Sequence, residues 1–111
     1  MDNIEIEIYE EPSGKQPYLL WENGLSRDVR AIVTARLARI RLGNFGDSKS
    51  FDGINELRIH YGPGYRIYYG KKGKTVVILL CGGDKSTQKK DIKKAKVFWE
   101  DYLQNQHRRK R

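Results

Sequence analysis

Leu57-Arg58-Ile59-His60-Tyr61, Gly62-Pro63-Gly64 and Tyr65-Arg66-Ile67-Tyr68-Tyr69 form the stretch on which the fold turns. Apolar and polar side chains alternate on both sides of a Gly-Pro-Gly break, the period-two signature of two strands joined by a tight loop. If Tyr61 faces Tyr65 across the loop, His60 opposes Arg66 and Arg58 opposes Tyr68. Those four side chains then share one face of the hairpin, while Leu57, Ile59, Tyr61, Tyr65, Ile67 and Tyr69 share the other. The second set predicts a core face, and the first predicts a cationic, aromatic one.

Working outward, Lys71-Lys72-Gly73-Lys74 reads as the next turn, and Thr75 to Cys81 is an unbroken apolar run expected to be the central strand, buried on both faces and ended by Gly82-Gly83. Beyond it, Ile92, Ala95, Trp99, Tyr102 and Leu103 mark one face of a closing helix from about Thr87 to Leu103. Toward the amino terminus, Ile4-Glu5-Ile6-Glu7-Ile8 alternates as a half-buried opening strand, and Glu11-Pro12-Ser13-Gly14 breaks regular structure. Tyr18 to Glu22 makes a short helix. A longer one starts after Ser26, a residue suited to capping free amides, carries Val29, Ile32, Val33, Leu37 and Ile40 on one stripe, and stops at Gly43. The expected order is β-α-α-β-β-β-α, an α+β fold with a small antiparallel sheet, two helices before it and one after. Residues 1–104 form one domain in this reading, and 105–111, ending His107-Arg108-Arg109-Lys110-Arg111, form a basic tail without stable structure.

With 111 residues, 38% apolar and 11% aromatic, the chain supports one hydrophobic core. The single cysteine, Cys81, cannot close an internal disulfide, and no basic-then-apolar leader precedes Asp2 and Glu5, so a cytoplasmic, reducing environment is expected. The longest apolar run is too short to cross a bilayer, and no membrane role is expected. From residue 23 onward, 21 basic side chains face 8 acidic ones, a net +13. A field of that sign attracts phosphate backbones or an acidic protein.

Opposed cations weaken a hairpin unless something neutralises them, so Arg58, Arg66 and His60 on one face call for an anion, and a phosphate fits. Arginine offers a planar fork for phosphate oxygens, histidine moves a proton near neutral pH, and tyrosine adds a stacking surface and a hydroxyl. Arg58, Arg66, His60 and Tyr68 thus hold the parts for cleaving an RNA phosphodiester through its own 2′-hydroxyl. The plainer reading is that both arginines lie over the sheet and pair with Glu56 or Asp84. Lys85, Lys89 and Lys90 lie beyond the apolar strand, in a lysine-rich segment suited to tracking an RNA backbone. No phosphate-binding loop or dinucleotide fingerprint is present, so no cofactor is implied, and one cysteine and two histidines without ligand spacing argue against a metal. Cys81 reads as a small buried hydrophobe.

Glu56-Leu57-Arg58-Ile59, Tyr65-Arg66-Ile67-Tyr68-Tyr69, Leu79-Leu80-Cys81-Gly82-Gly83-Asp84-Lys85 and Asp91-Ile92 with Ala95-Lys96 and Trp99 together resemble the HigB-like branch of the RelE/ParE toxin superfamily, the addiction-module killer proteins. The resemblance covers nearly the whole chain. It implies the toxin of a type II toxin–antitoxin system, bound by a helix-turn-helix antitoxin and reaching operator DNA only through it. It further implies a metal-independent endoribonuclease acting on mRNA at the ribosome. Arg66 matches the arginine of the family's strand motif, Arg58 that of the preceding strand, and Lys85 the basic position after the last strand. A catalytic residue near the carboxyl terminus would be Tyr102 or His107, with His60 and Tyr68 as the other candidates for acid and base. Relatives of the ParE branch instead inhibit DNA gyrase without cutting RNA, which keeps a non-enzymatic inhibitor as the alternative.

Overall fold

A computed structural model describes residues 3–109, with side chains through residue 105. The elements run β1 (Glu5–Ile8), α1 (Pro17–Asn23), α2 (Arg27–Arg41), β2 (Ser48–Phe51), β3 (Ile54–Ile59), β4 (Tyr65–Lys72), β5 (Val76–Asp84), a short 3-10 turn (Lys85–Thr87) and α3 (Gln88–Arg109). The α+β class and the order of helices agree with the sequence reading. The sheet has five strands in the order β1-β5-β4-β3-β2. Among the described residues, β2 is the strand that the alternation missed: Ser-Lys-Ser-Phe carries little apolar signal, and it is held by antiparallel pairing with β3.

Two further features correct the expected sheet. β1 pairs in parallel with β5, so the sheet is mixed, and β4 lies at its centre with β5 one place toward the β1 edge. β5 also runs through Gly82 and Gly83 to Asp84 instead of ending before them. α1 and α2 cover one face of the sheet and α3 covers the other. Ser26 caps α2 by accepting from the Val29 N–H, and Asp28 sits in its first turn where the helix dipole favours a carboxylate.

The core is double. On the α1–α2 face, Tyr18, Val33, Ile40, Leu57, Ile67, Tyr69, Val77 and Leu79 pack together; on the α3 face, Ile54, Tyr68, Ile78, Leu80, Cys81 and Ala95 do. Period two along β5 is broken once: Tyr68 pairs with Cys81 and Tyr69 with Leu79, leaving Leu80 as a bulge. The extra residue shifts the parity downstream, so Leu80 and Cys81 both belong to the α3 side. Gly82 then turns toward α1, where a β-carbon would come within 2.3 Å of the Trp21 ring, and Gly83 toward α3, where one would come within 1.8 Å of an Asp91 carboxylate oxygen. Each glycine admits a side chain from the opposite layer. α3 continues through Arg109 into the stretch read as a basic tail, and residues 110 and 111 lie outside the described residues.

Candidate functional site

The β3–β4 hairpin positions the site, and its register differs from the expected one by two residues. Ile59 pairs with Tyr65, Arg58 with Arg66, Leu57 with Ile67 and Glu56 with Tyr68. An even slip preserves parity, so Arg58, Arg66 and Tyr68 do share a face, but the two arginines oppose each other directly. His60 lies beyond the paired strand. It is exposed, its Nε2 is 2.6 Å from an Asp47 carboxylate oxygen, and it does not stand opposite Arg66. The loop drew His60 out of the ladder because Gly62 and Gly64, both at positive φ, form a turn wider than a three-residue hairpin.

The expected open cationic face is instead closed by α3, and its charge is balanced from within. Glu56, with no exposed surface, is the hub. Its Oε1 accepts from Arg58 Nε at 2.9 Å, and its Oε2 accepts from the Tyr68 hydroxyl at 2.9 Å and Gln88 Nε2 at 3.0 Å. Arg66 Nε lies 3.7 Å from the same Oε2, an ionic contact without a hydrogen bond, and that nitrogen is buried with no hydrogen-bond partner among the described residues. Burial alone would raise the Glu56 pKa, but hydrogen bonds from Arg58, Gln88 and Tyr68 and the Arg58 charge outweigh it and hold the carboxyl below its ordinary value. Tyr68 is fully buried, and burial followed by its bond to Glu56 pushes the phenol far above the usual range. The pairing of both arginines with Glu56 is the plainer reading of the sequence, present alongside whatever else they bind.

Arg66 extends from this hub to the surface. Its Nη1 donates to the Gly64 carbonyl at 2.6 Å, and a β-carbon on Gly64 would lie 3.6 Å from that of Lys85. Gly64 is thus the shared neighbour of the arginine and the lysine, and its positive φ of 80° suits a residue without a side chain. Lys85 opens the turn between β5 and α3. Asp84 fixes that turn by accepting from the Ser86 N–H at 2.8 Å, in a capping box completed by Thr87. Thr87 in turn donates to the buried Asp91. Lys85, Lys89 and Lys90 are exposed and line an open depression with Ser86, Thr87 and Gln88. Gln88 is therefore the joint between this lysine turn and the Glu56 hub.

The structure brings Arg58, Arg66 and Tyr68 together, sets Lys85 beside Arg66 across Gly64 and puts Lys89 and Lys90 on the depression that Lys85 lines; it leaves His60 with Asp47. Tyr102 is buried on the α3 face, where its hydroxyl lies 3.4 Å from Glu7. The side chain of His107 lies outside the described residues. Sequence reasoning missed Glu56 as a hub and Gln88 altogether. Glu56 had a signal in its place two residues from Arg58 on the same strand face, whereas Gln88 is 32 residues away and nothing local marks it. Cys81 is buried, and desolvation pushes its thiol up to about 12, as suits a packing residue. Among the described residues, no group of three or more His, Cys, Asp or Glu side chains is placed to hold a metal ion, and no helix is long and apolar enough to cross a membrane.

Residues 21–99 match the family model described as phage derived protein Gp49-like (DUF891), a span that holds every site residue named above except Tyr102 and His107. An uncharacterized protein of Haemophilus influenzae is 58% identical over 71 residues, covering 63% of this chain and 72% of that protein. No solved structure matches.

Proposed function

The chain belongs to the Gp49-like, phage-derived family (DUF891), a family associated with toxin–antitoxin systems, and from that membership we propose that it is the toxin of such a pair, an endoribonuclease that cuts mRNA on the ribosome. The family does not itself specify the reaction, which we infer from the site, or the HigB-like branch, which we carry over from the resemblance of the strand motifs. The observation that carries the reading is the arrangement of Arg58 opposite Arg66, both held by one buried carboxylate, with exposed Lys85 against the same glycine as Arg66. A guanidinium fixed before substrate arrives needs no reorganisation when charge builds on a phosphate during attack by the 2′-hydroxyl. Lys85, Lys89 and Lys90 supply sequence-independent attraction for the RNA backbone.

Glu56, held charged by three donors, is poorly placed to act as a base, and Tyr68 is poorly placed as an acid while its hydroxyl is committed to Glu56. His60, exposed and hydrogen-bonded to Asp47, is the residue we assign as general acid or base on the described surface. The partner proposed is an antitoxin whose helix-turn-helix portion reads the operator and whose acidic, apolar segment covers the lysine turn.

The test is brief induced expression in bacteria followed by mapping of new 5′ ends on cellular mRNA, with Lys85→Ala and Arg66→Lys as variants. Arg66 is 11% exposed and bonded to the Gly64 carbonyl, so Arg66→Ala risks the fold, whereas Lys85→Ala removes an exposed side chain and Arg66→Lys keeps the charge. Codon-phased cuts that weaken in both variants, at unchanged melting temperature, support the reading. Growth arrest with intact mRNA would replace it with a non-enzymatic inhibitor of the gyrase-binding kind.

A further inference from the structure

The β4–β5 turn lies at the opposite end of the sheet from Lys85. Tyr65 pairs with Asp84 at one end of β4 and Lys72 with Val76 at the other, and the seven steps between Tyr65 and Lys72 span roughly 23 Å at the strand rise. At this far end, Lys71 and Lys74 line a hollow with Phe45, Ile4, Gly73 and Val76. Lys71 Nζ stands 4.0 Å from the Phe45 ring centroid, while the ring stacks on Tyr69 at 5.8 Å. The carboxyl end of α2 reaches the same place: the Arg39 carbonyl accepts from the Asn44 N–H at 2.9 Å, one residue before Phe45. Arg36, one turn earlier on that side of α2, comes near Gly46, one residue after it.

The charges at this end differ in their compensation. Arg36 lies in the field of Asp47, which its charge helps to hold below the usual carboxylate range after His60 and Arg58. Arg39, Lys71 and Lys74 have no carboxylate partner among the described residues; Glu5, whose N–H donates to the Thr75 carbonyl at 2.7 Å, is the acidic residue at the near end of the adjoining strand and makes no ion pair with them there. Two uncompensated lysines lining an aromatic hollow, with exposed Arg39 in the last turn of the adjoining α2, are the features of a surface that follows a nucleic-acid backbone.

We propose that Lys71 and Lys74 at the Phe45 hollow, together with Arg39 at the adjoining end of α2, form a second RNA-backbone contact, separate from the Arg58–Arg66–Lys85 site and adding affinity without taking part in cleavage. This rests on the reading that the protein acts on RNA. At about 3.4 Å per nucleotide of a stacked strand, a span of roughly 23 Å corresponds to about seven nucleotides, so one strand of modest length engages both ends. Joining two weak contacts through one ligand raises affinity by making the second contact intramolecular.

The experiment measures binding of the full chain to 2′-O-methyl RNA, which lacks the attacking hydroxyl, using single strands of about 5 and about 15 nucleotides at several salt concentrations. Wild type is compared with Lys71→Met/Lys74→Ala/Arg39→Ala, in which methionine keeps an alkyl chain over Phe45, and with Lys85→Ala. The triple variant is expected to bind the longer strand about tenfold more weakly, with the slope of log K against log salt reduced by about 2, the value for three lost phosphate contacts. Its affinity for the shorter strand should fall much less. Equal affinity of wild type and triple variant for the longer strand overturns the second contact while leaving the RNA reading standing. No RNA binding by wild type overturns both. A triple variant that keeps full RNA affinity but no longer binds a polyglutamate peptide assigns the surface to an acidic protein and also overturns the proposal.

Discussion

The two faces of the β3–β4 hairpin are built from the same strands by opposite means. Toward α1 and α2, Leu57, Ile59, Ile67 and Tyr69 meet a continuous apolar layer, and each contributes by leaving water. Toward α3, a fully buried carboxylate stands between two guanidiniums, a phenol and an amide. An apolar residue there can shrink and lose only its own packing, but a charged hub cannot lose one member without stranding the others. The first face gives stability, and the second fixes where two arginines stand.

The largest expected effect follows from that asymmetry. Glu56→Ala leaves Arg58, Arg66, Tyr68 and Gln88 facing one another without their acceptor, and a loss of about 3–5 kcal/mol is expected in denaturant melts. Leu57→Ala, the next residue on the same strand but on the other face, should cost about 2–5 kcal/mol through cavity formation. The contrast lies in rescue: adding Arg58→Met and Arg66→Met to Glu56→Ala should recover part of the loss, because the stranded charges go with their partner. A triple variant no more stable than the single one would show that Glu56 acts only by filling space.

Glycine substitutions sharpen the comparison at the end of β5. Gly82→Ala drives a methyl into the Trp21 ring on the α1 face and Gly83→Ala drives one into Asp91 on the α3 face. Overpacking of this kind costs about 1–3 kcal/mol. The two should part in their functional effect: Gly83→Ala displaces Asp91 and with it Thr87 and the Lys85 turn, so RNA binding falls along with stability, whereas Gly82→Ala should lower stability alone. Equal effects on binding would mean that the turn is not positioned through Asp91.

How much of this was legible in the chain depends on how far apart the cooperating residues lie. Period two alone assigned Arg58, Arg66 and Tyr68 to one face, even with the register set two residues off, because a slip of two leaves parity intact. The same rule failed along β5, where Leu80 bulges inside a uniformly apolar run and nothing in Val-Val-Ile-Leu-Leu-Cys marks the change of face. β2 escaped because its pairing with β3, not its own composition, makes it a strand. The balanced charge of the arginine face was half visible: Glu56 is close in sequence, but the covering helix and Gln88 arrive from beyond β5, a tertiary fact with no local sign.

Acid should separate the faces by pH. The Glu56 carboxyl is held below its ordinary value in the folded chain, so the unfolded state binds the proton more readily, and the contribution of this group is full above the unfolded carboxyl range near 4.3 and is lost as pH falls through the lower folded value. Stability should therefore decline below about pH 4.3, and Glu56→Gln should flatten the Glu56 share of that decline while leaving the curve near neutral pH with no further slope. An unchanged acid limb in the variant would place the titrating groups elsewhere.

The smallest effect on stability is expected where the sequence placed a catalytic histidine. His60 is 71% exposed, and its partner Asp47 is held low first by that hydrogen bond and then by the His60, Arg58 and Arg36 charges. An exposed pair of this kind is screened by water and salt, so His60→Ala should leave the melting temperature unchanged at physiological ionic strength. Its effect on RNA cleavage is a separate quantity. A general acid or base contributes about 10²–10⁴-fold in rate, which a near-neutral structural role cannot imitate. Unchanged stability with cleavage lowered by that factor makes His60 the proton carrier, acting from its place beside Asp47. Unchanged stability with undiminished cleavage restricts the chemistry to the face that α3 covers, and the proton must then be sought beyond residue 105 or on the RNA and ribosome themselves.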